Sequence, residues 1–547
     1  MDRGAEPDGR GRLVIAAGCA DLAAPAAAVA ADLGADPVLR VRFREQVPRA
    51  ADTVCRRLIA SLCRERLAEP PAGVRLRRHG FDRVEPVGPL PARPLELLAA
   101  LCPDGPLAAE LGSAVAGLAL AYARRPAGVD PFDLGGAGPD RQALAFEQLA
   151  TEGHNLHPCG RTRLGWSTRD LLDHDLEGGG TTVEFVGVRR DRHVGDDVGD
   201  RLGRHAPAGY VAQPVHTWQR RRLPEQLYTD GVLRHLDLAP VPGRPTAALR
   251  TLLLPDGRYL KLSLDIQVTS TRRTISVAST RNGPALSVAL RQLMAGEPVL
   301  LMAEVAGSAL AGSRDAGAIL RAGLAGRLGP DEVPVPAAAL TAALPGGRTV
   351  AATLVAAQAA AHGRPDDAGA ALRFVDGYAR LLLPPLLRLA TRHGIALEAH
   401  LQNCLPVFRN GQPVRLVLRD FAGIRVHLPR LAARRTPVSL WPGSVIATGD
   451  VEVMLAKLAY TALQAHLGEL VVTLVGSHDL DEAAAWRAVR GVVDEVYADL
   501  RADPATAADA AADHAFLTAP TVPHKALVRM RLAGDGDLYL PVGNPLR

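Results

Sequence analysis

The stretch 397-LEAHLQNCLPVFRNGQPVRLVLRDFAGIRV-426 interrupts a part of the chain whose other patterns are helical. Residues 397–408 and 413–419 are predicted strands, and 409-RNGQ-412 carries the Asn-Gly signal of a tight hairpin turn between them. With helical, then β-rich, then mixed patterns along the chain, the sequence predicts an α+β protein in about three parts.

The same stretch crowds polar groups into apolar surroundings. If the first strand begins at 397, Glu398, His400 and Gln402 share one face, and the hairpin returns Arg419 and Asp420 toward the same end. Carboxylate, amide and imidazole groups converging in this way suit a divalent cation and a phosphate chain, because magnesium prefers oxygen ligands. An edge hairpin with one solvated polar face would give the same alternation.

Outward from the hairpin, the 547 residues divide into three regions, as expected of a chain too long for one core. Residues 1–145 are mostly helical in pattern, about 150–290 carry short β-branched runs between Gly- and Pro-rich breaks, and from about 290 onward helical spacing returns around the hairpin. Predicted helices are 14–33, 51–69, 351–363, 371–394 and 450–474, and predicted strands are 181–188, 208–218 and 260–270.

Composition excludes some classes of function. The 63 basic residues are matched by 58 acidic ones, and only 4% of residues are aromatic, so no basic stripe with interleaved aromatics indicates nucleic-acid binding. The six cysteines lack the spacing of a zinc site. The N-terminal sequence has no secretory leader, and no long uncharged apolar run predicts a membrane span, so we expect a cytoplasmic protein.

A second polar stretch is 152-EGHNLHPCGRTRLGW-166. His154 and His157 are three residues apart, and Arg161 and Arg163 follow among glycines. Arginine forks pair bidentately with phosphate oxygens, so the stretch is a candidate phosphate site. An arginine-rich surface loop is the alternative.

A third stretch, 250–276, places Lys261 among apolar residues, which is unusual for a lysine without a partner. Hydroxyl and guanidinium groups follow just beyond the predicted strand, at Thr269, Ser270, Arg272, Arg273 and Thr274. Together these groups could hold a triphosphate, although the chain has no P-loop pattern. A strand leaving the core through a polar turn is the alternative.

The order of these stretches resembles that of the IucA/IucC family, the NRPS-independent siderophore synthetases. The resemblance covers the chain from about residue 145 to the C-terminus. It is carried by 153-GHNLHPCGRTRLG-165, 214-PVHTWQ-219, 261-KLSLDIQVTSTRRTI-275, 398-EAHLQN-403 with 419-RDF-421, and 525-KALVRMRL-532 with 544-NPL-546.

The resemblance implies a cupped-hand fold with three parts: a thumb (1–145), β-rich fingers (146–330) and a largely helical palm (331–547) with an FhuF-like C-terminal region. It implies a ligase that uses ATP and Mg²⁺ to convert a carboxylate of citrate, or of a citrate derivative, into an acyl adenylate. An amine or hydroxyl of a second substrate then displaces AMP. ATP would lie between fingers and palm, and two copies could form a homodimer.

The family's motifs also imply residue roles. His157, Lys261 and Arg273 would contact the triphosphate, with Arg250 and Thr251 lining the same pocket. His400 and Asp420 would sit beside the nucleotide, Asp420, Gln402 and Asn403 would neighbour magnesium, and Glu398 would support them. The implied nucleotide-binding set is completed by His154, Arg161, Arg163, Thr269, Ser270, Arg272, Thr274 and Arg419.

Two positions depart from the family's pattern. Arg161 stands where a lysine is common, and Ala248 stands where a serine is common two residues before the Arg250–Thr251 step, with Thr246 nearby. Two other functions stay open at this point. One is a phosphotransferase that uses the same ATP and magnesium site, and the other is a non-catalytic relative that binds a nucleotide or an iron chelate.

Overall fold

The computed structural model describes residues 22–102, 105–125, 128–269, 271–534 and 536–547. The elements before residue 150 are helices α1 Ala24–Asp32, α2 Pro37–Arg64, α3 Pro94–Leu101, α4 Pro106–Arg124 and α5 Pro139–Leu149, with strands β1 Arg75–Arg78 and β2 Val84–Val87.

The middle of the chain is rich in strands. Its helices are α6 Thr168–His174, α7 Val198–Arg201, α8 Thr217–Arg220, α9 Glu225–Thr229 and α10 Val277–Leu293. Its strands are β3 Thr181–Arg189, β4 His193–Gly195, β5 Tyr210–His216, β6 Leu233–His235, β7 Val241–Pro245, β8 Thr251–Leu253, β9 Tyr259–Leu262, β10 Leu264–Val268, β11 Thr271–Arg273, β12 Val299–Leu301, β13 Glu304–Leu310 and β14 Ala318–Arg321.

The last part is mainly helical. Its helices are α11 Val350–Ala361, α12 Ala368–His393, α13 Leu428–Ala433, α14 Val451–Leu458, α15 Gly468–His478, α16 Glu482–Ala502, α17 Ala507–Leu517 and α18 Leu527–Ala533, and a π-helix, Ala459–Leu467, joins α14 to α15. Its strands are β15 Val333–Pro334, β16 Ile395–Ala396, β17 Cys404–Arg409, β18 Gln412–Leu418, β19 Arg425–His427, β20 Ala447–Thr448, β21 Thr521–Lys525 and β22 Tyr539–Gly543.

Local sequence explains the ends of the long helices. Asp36 caps α2 by accepting a hydrogen bond from the Leu39 amide at 2.9 Å, and Pro37 fills the first helical position, where no amide donor is needed. Asp367 caps α12 through the Ala370 amide, and Gly394 ends that helix in the left-handed region at φ 70°.

A nine-stranded antiparallel sheet forms the middle region, in the order β4-β13-β14-β9-β8-β7-β3-β5, with β6 pairing β3. The predicted strand 260–270 is instead two strands, β9 and β10, because the chain turns at Ser263. The Ser263 hydroxyl donates to the Arg314 carbonyl and accepts from the Gly317 amide, so it holds the break in place.

The predicted hairpin forms as β17 and β18, which are joined at Asn410-Gly411 with φ of 50° and 75°. These strands lie in a four-stranded sheet, β12-β18-β17-β15. The prediction that the first strand begins at 397 is wrong: residues 397–403 form a turn, and the strand begins at Cys404. Side-chain bonds to nearby backbone explain the difference, since His400 Nδ1 accepts from the Gln402 amide.

The end of the chain packs back onto its beginning. Val528 of α18 lies in the hydrophobic cluster formed mainly by α2 and α4. The two carboxylate oxygens of Glu65, at the end of α2, accept hydrogen bonds from the amides of Val528 and Arg529 at 3.0 and 2.7 Å. These contacts join the thumb segment to the C-terminal region.

Two helical stretches, Pro106–Arg124 and Val451–His478, are long and apolar enough to cross a bilayer by length and composition. In the folded chain 67% and 83% of their most apolar windows are buried, as in core helices of a globular protein. Packing inside the protein therefore accounts for the length and the apolar composition of these two helical stretches.

Candidate active site

The central pair of the site is Lys261 on β9 and Asp420, two residues after the end of β18. Lys261 is 2% exposed, and its Nζ lies 2.8 and 2.7 Å from Oδ1 and Oδ2 of Asp420. Burial lowers the pKa of Lys261, and Asp420 only partly offsets that effect. Burial alone would raise the pKa of Asp420, but Lys261, Arg321 and Arg250 outweigh it and hold that pKa well below its usual range.

Asp420 adopts a left-handed backbone conformation, with φ 67°. Aspartate tolerates this region better than most residues, yet a non-glycine residue there usually marks a constrained turn. The turn directs the carboxylate back toward Lys261, so the backbone after β18 is shaped to present one side chain.

Arg321 and Glu304 belong to the same site, and the sequence analysis missed both. Arg321 ends β14 and stands opposite Glu304 of β13, with Nη2 3.0 Å from the Glu304 carboxylate and 3.6 Å from that of Asp420. Both residues are 2% exposed. Each is a lone charge in an apolar strand, which is the signal that singled out Lys261.

Arg250 and Arg273 add positive charge near Asp420. Arg250 Nη1 donates to the carbonyls of Arg273 and Thr274 at 2.7 and 2.9 Å, and Arg273 Nη2 donates to the Val268 carbonyl at 3.2 Å. Burial, with Arg250 nearby, lowers the pKa of Arg273 to about 10. Within the described ranges neither guanidinium has a carboxylate partner. We call Lys261, Arg250, Arg273 and Arg321 the cation cluster.

His157 faces the cation cluster from the loop before α6. Its Nδ1 accepts from the Cys159 amide at 3.0 Å, while Nε2 is buried and, within the described structure, has no hydrogen-bond partner. Burial, with Arg273 in range, lowers the pKa of His157 to about 3, so the ring is neutral and Nε2 carries the proton. The His154 ring lies 6.1 Å away, and burial lowers its pKa in the same way.

Arg161 and Arg163 form a separate buried network. Arg161 lies 3.2 Å from Asp175 and 2.8 Å from Glu177, and Arg163 lies 3.2 Å from Asp175. Two guanidinium groups thus meet two carboxylates. The structure does not leave Arg161 or Arg163 as spare cations for a ligand, and the arginine at 161 is neutralised inside the fold.

The turn at 397–403 brings Glu398 and His400 to the edge of the site. The Glu398 carboxylate is paired with Lys457 of α14, and His400 Nε2 lies 3.9 Å from the same carboxylate. Burial would raise the pKa of Glu398, but Lys457 and His400 keep it lowered. Lys457 is a further site residue that the sequence analysis missed. The prediction that Glu398, His400 and Gln402 share a strand face is wrong, since no strand forms there.

Arg419 and Asn403 hold the turn through their side-chain nitrogens. Arg419 Nη1 lies 2.7 Å from Glu147 of α5, and its Nε donates to the Gln402 carbonyl at 3.0 Å. Asn403 Nδ2 donates to the Glu398 carbonyl at 3.1 Å. The other oxygen of Glu147 accepts from the Ala247 amide, so one buried carboxylate joins the turn to the loop that carries Arg250.

The remaining predicted residues divide between the site and its surroundings. Arg272 turns outward to pair with Asp265 at 2.7 Å, so it does not join the cation cluster. Thr251 pairs with Lys261 in the β8–β9 register, and Thr269 accepts from Arg273 at 3.2 Å. The Thr274 hydroxyl accepts a hydrogen bond from Arg314, and Ser270 lies outside the described residues.

Carboxylates suited to magnesium are present but already paired. Asp420 is held by Lys261 and Glu398 by Lys457, and in the described parts of the chain no group of three His, Cys, Asp or Glu side chains could hold a metal ion alone. Magnesium binds typically through one or two carboxylates together with substrate phosphates, so this donor set fits an ion that arrives with a nucleotide.

Two family models match separate parts of the chain. The IucA / IucC family model matches residues 142–342, and the model of the ferric iron reductase FhuF-like transporter matches residues 372–540. The first range contains all four residues of the cation cluster, and the second contains the turn, the hairpin and Asp420.

Curated relatives and a solved structure agree with this match. D-ornithine–citrate ligase of Staphylococcus aureus is 27% identical over 317 residues, covering 53% of this chain and only 48% of that protein. Staphyloferrin A synthase of the same organism is 27% identical over 440 residues, covering 73% and 72%. The structure of ATP-bound aerobactin synthetase IucA from a hypervirulent pathotype of Klebsiella pneumoniae superposes with a TM-score of 0.71 at 19% identity, covering 90% of this chain and 99% of that one.

The α+β fold and the matched relatives indicate which class of protein the chain is similar to, the ligases of siderophore biosynthesis. More narrowly, residues 142–342 match the IucA/IucC family model, and the curated relatives at 27% identity are similar over a longer part of the chain. The predicted resemblance and the predicted fold class are therefore confirmed.

Proposed function

We propose that the protein joins a carboxylate of citrate, or of a citrate-like acid, to an amine or hydroxyl group in a reaction driven by ATP. A carboxylate oxygen of the acid attacks the α-phosphorus of ATP and displaces pyrophosphate, which gives an acyl adenylate. The amine or hydroxyl then attacks the acyl carbon, loses its proton and expels AMP. Because ATP is the substrate, the cytoplasm is the compartment that we propose.

The observation that carries the proposal is an excess of positive charge at the site, where Lys261 and Arg321 are buried and Arg250 and Arg273 are half-buried. The four cations of the cluster are balanced by two carboxylates, which are Asp420 and Glu304. Buried cations are normally paired, so the surplus favours a polyanionic ligand such as a triphosphate. His157 Nε2, buried without a partner among the described residues, offers a further hydrogen bond in the same place.

The side chains contribute by neutralising and aligning charge. Lys261, Arg273 and Arg250 would oppose the negative charge on the phosphates as the α-phosphorus is attacked, and neutral His157 would donate a hydrogen bond to a phosphate oxygen. Such preorganised donors are effective in a site that excludes water. The site needs no covalent nucleophile for this chemistry.

Magnesium would be held by Asp420 with the side-chain oxygens of Gln402 and Asn403, and when bound it would reduce the charge on the phosphates. A carboxylate has about four lone-pair positions, so Asp420 can accept from Lys261 and still face a metal ion. Glu398, His400 and Lys457 would keep the adjacent turn in place.

The test is a product analysis of the purified protein with ATP, Mg²⁺, citrate and a panel of diamines, amino acids and hydroxylated amines. We expect pyrophosphate and AMP to accumulate in equal amounts, and we expect hydroxylamine to trap the activated acid as a hydroxamate. Release of ADP instead of AMP would identify a phosphotransferase and refute the proposal. Binding of ATP without turnover across the whole panel would identify a non-catalytic relative.

A further inference from the structure

A cavity lies beside the candidate active site, between α2, the β1–β2 hairpin and α15. Its volume is about 520 Å³, which is within the range of small-molecule pockets. The site described above does not use its lining. The lining includes Arg57, Arg64, Arg77, Arg83, Glu152 and Glu469.

One loop separates this cavity from the cation cluster. Glu152, Asn155 and Leu156 line the cavity, while His154 and His157 of the same loop lie within electrostatic range of Arg273. The loop is fixed from the cavity side, because Arg57 donates to the Glu152 carbonyl and carboxylate at 2.8 and 2.6 Å. The same short loop therefore borders both the cavity and the proposed phosphate site.

The cavity wall also has spare positive charge. Arg64 is 7% exposed and donates only to the Phe81 carbonyl, at 3.2 and 2.8 Å, with no carboxylate partner among the described residues. Burial lowers the pKa of Arg64 to about 10. The neighbouring acid in the chain, Glu65, uses both carboxylate oxygens on the amides of Val528 and Arg529. In the described parts of the chain, exposed Arg77 likewise has no ion pair within 4 Å.

Arg83 shows that the wall can hold a carboxylate. It pairs with Glu469, so one of the buried guanidinium groups already binds an acid from α15. Arg64 lies close enough to lower the pKa of Arg83, which burial brings down to about 9. Arg83 is thus paired with a carboxylate whereas its neighbour Arg64 has none among the described residues, which favours binding of a further carboxylate beside Arg64.

We infer that this cavity binds the second substrate and that Arg64 and Arg77 recognise a carboxylate on it, which makes an amino acid rather than a simple diamine the preferred amine. This inference rests on the proposed function. The carboxylate end lies in the cavity, and the amino end reaches past the Glu152–His157 loop toward the acyl carbon.

The experiment uses two readouts on the full-length protein. Citrate-dependent exchange of labelled pyrophosphate into ATP reports the first half-reaction, which needs no amine. Amide formation is then measured with three amino acids (ornithine, lysine and 2,3-diaminopropionate) and with the diamine that each gives on losing its carboxylate. The variants are Arg64→Lys, which keeps the charge but loses the planar fork, and Arg77→Ala. The control is Arg78→Ala, an equally exposed neighbour on β1 that does not line the cavity.

We expect the wild-type protein to prefer an amino acid over its diamine. Arg64→Lys should raise the KM for that amino acid about tenfold, since hydrogen bonds to charged groups have about this effect, and Arg77→Ala should raise it about threefold. Pyrophosphate exchange, the KM for the diamine and every property of Arg78→Ala should stay unchanged.

Three results would overturn the inference while leaving the proposed function intact: use of the diamines alone, an unchanged KM for the amino acid in both variants, or a loss of pyrophosphate exchange in those variants. The last result would assign the cavity to the acid substrate. Absence of exchange and of amide formation in the wild-type protein would overturn both proposals.

Discussion

The ammonium nitrogen of Lys261 lies within 2.8 Å of both carboxylate oxygens of Asp420, although the two residues are 159 positions apart. Lys261 belongs to the nine-stranded sheet, and Asp420 follows the hairpin of the four-stranded sheet. The pair therefore ties together the two parts of the chain between which ATP is proposed to bind. Neither charge can be removed without leaving the other in a poorly solvated place.

The pair should contribute to stability as well as to activity. Asp420→Asn leaves Lys261 buried without its carboxylate, and removal of one member of a buried pair costs about 3–5 kcal/mol. Lys261→Met should cost less, because Arg321 remains 3.6 Å from Asp420. Urea denaturation of both variants and of the double variant measures this. We expect the double variant to recover part of the loss, and purely additive effects would show that the two charges do not interact.

Turnover of these variants should fall for a different reason. Loss of one preorganised contact to a developing charge lowers the rate about a hundred- to a thousandfold. Pyrophosphate release by folded Lys261→Met, measured at a temperature where the variant is native, should show a fall of that size. Activity close to wild type would contradict the role assigned to Lys261.

Glu147 should act as a positioning residue. Its oxygens hold Arg419 at 2.7 Å and the Ala247 amide at 2.7 Å, so it fixes both the 397–403 turn and the loop that leads to Arg250. Glu147→Gln keeps the size but replaces one acceptor with a donor that faces another donor. We expect the KM for ATP to rise about tenfold, with a smaller change in kcat. Steady-state kinetics separate the two.

A matched control for Glu147 is Glu495→Gln. Glu495 forms a surface ion pair with Arg380, with 2.6 Å between Glu495 Oε2 and Arg380 Nη1. Both side chains are exposed to solvent, and neither residue contributes to the cation cluster. Surface pairs contribute little to stability, so this variant should behave as wild type. Equal effects of the two substitutions on the KM for ATP would remove the positioning role of Glu147.

Gly423 should be required because of Glu398. A Cβ atom at position 423 would lie 1.8 Å from Glu398 Oε2, which cannot be accommodated without moving the carboxylate away from Lys457 and His400. Gly423→Ala should therefore lower turnover at least tenfold. Gly449→Ala is the control, because a Cβ there meets nothing within 4 Å. Wild-type rates in Gly423→Ala would show that Glu398 can move without loss.

Acid should destabilise the protein through buried neutral histidines. Burial lowers the pKa of His157 and His216 to about 3 and that of His466 to about 4, whereas an unfolded histidine titrates near 6.5. Above pH 6.5 both states are neutral and the stability is complete. Below it the unfolded state binds protons that the folded state excludes, so the free energy of unfolding falls by about 1.4 kcal/mol per pH unit for each histidine until the folded pKa is reached.

Urea denaturation midpoints measured between pH 7 and pH 5 give the slope of the free energy of unfolding against pH. The variant His216→Asn tests whether a buried histidine causes that slope. His216 Nδ1 caps α8 by accepting from the Trp218 amide, and asparagine is also a favoured cap. The variant should keep the helix and reduce proton uptake on unfolding by about one. An unchanged slope would mean that His216 is charged in the folded protein.

Much of the architecture could be predicted because local signals and tertiary contacts agree. The Asn-Gly turn, the alternation in β3 and the spacing in α12 each matched the element that formed. The error at 397–403 arose because strand alternation can also be met by a turn whose side chains bond to their own backbone. Nothing in the spacing of Glu398, His400 and Gln402 distinguishes the two cases.

The sequence alone could not predict which side chains pair with the site residues, because the partners come from distant parts of the chain. Lys261 was singled out as a lysine in an apolar strand, but its pairing with Asp420 depends on how two sheets meet. Arg321 and Glu304 carried the same signal and were overlooked because no motif drew attention to them. For Arg161 and Arg163 the sequence predicted a phosphate site, and the pairing of both arginines with Asp175 and Glu177 could not be foreseen from a glycine-rich loop.

The loop from Glu152 to His157 forms a partition with a different chemistry on each side, and this has a consequence for how such an enzyme can change over generations. If the amine and ATP bind on the two sides as proposed, a substitution on the Asn155 side that admits a new amine also moves the histidines beside the proposed ATP site. Specificity for the amine and affinity for ATP would therefore change together. Lineages that alter the product of the pathway should carry paired changes on both faces of this one short segment.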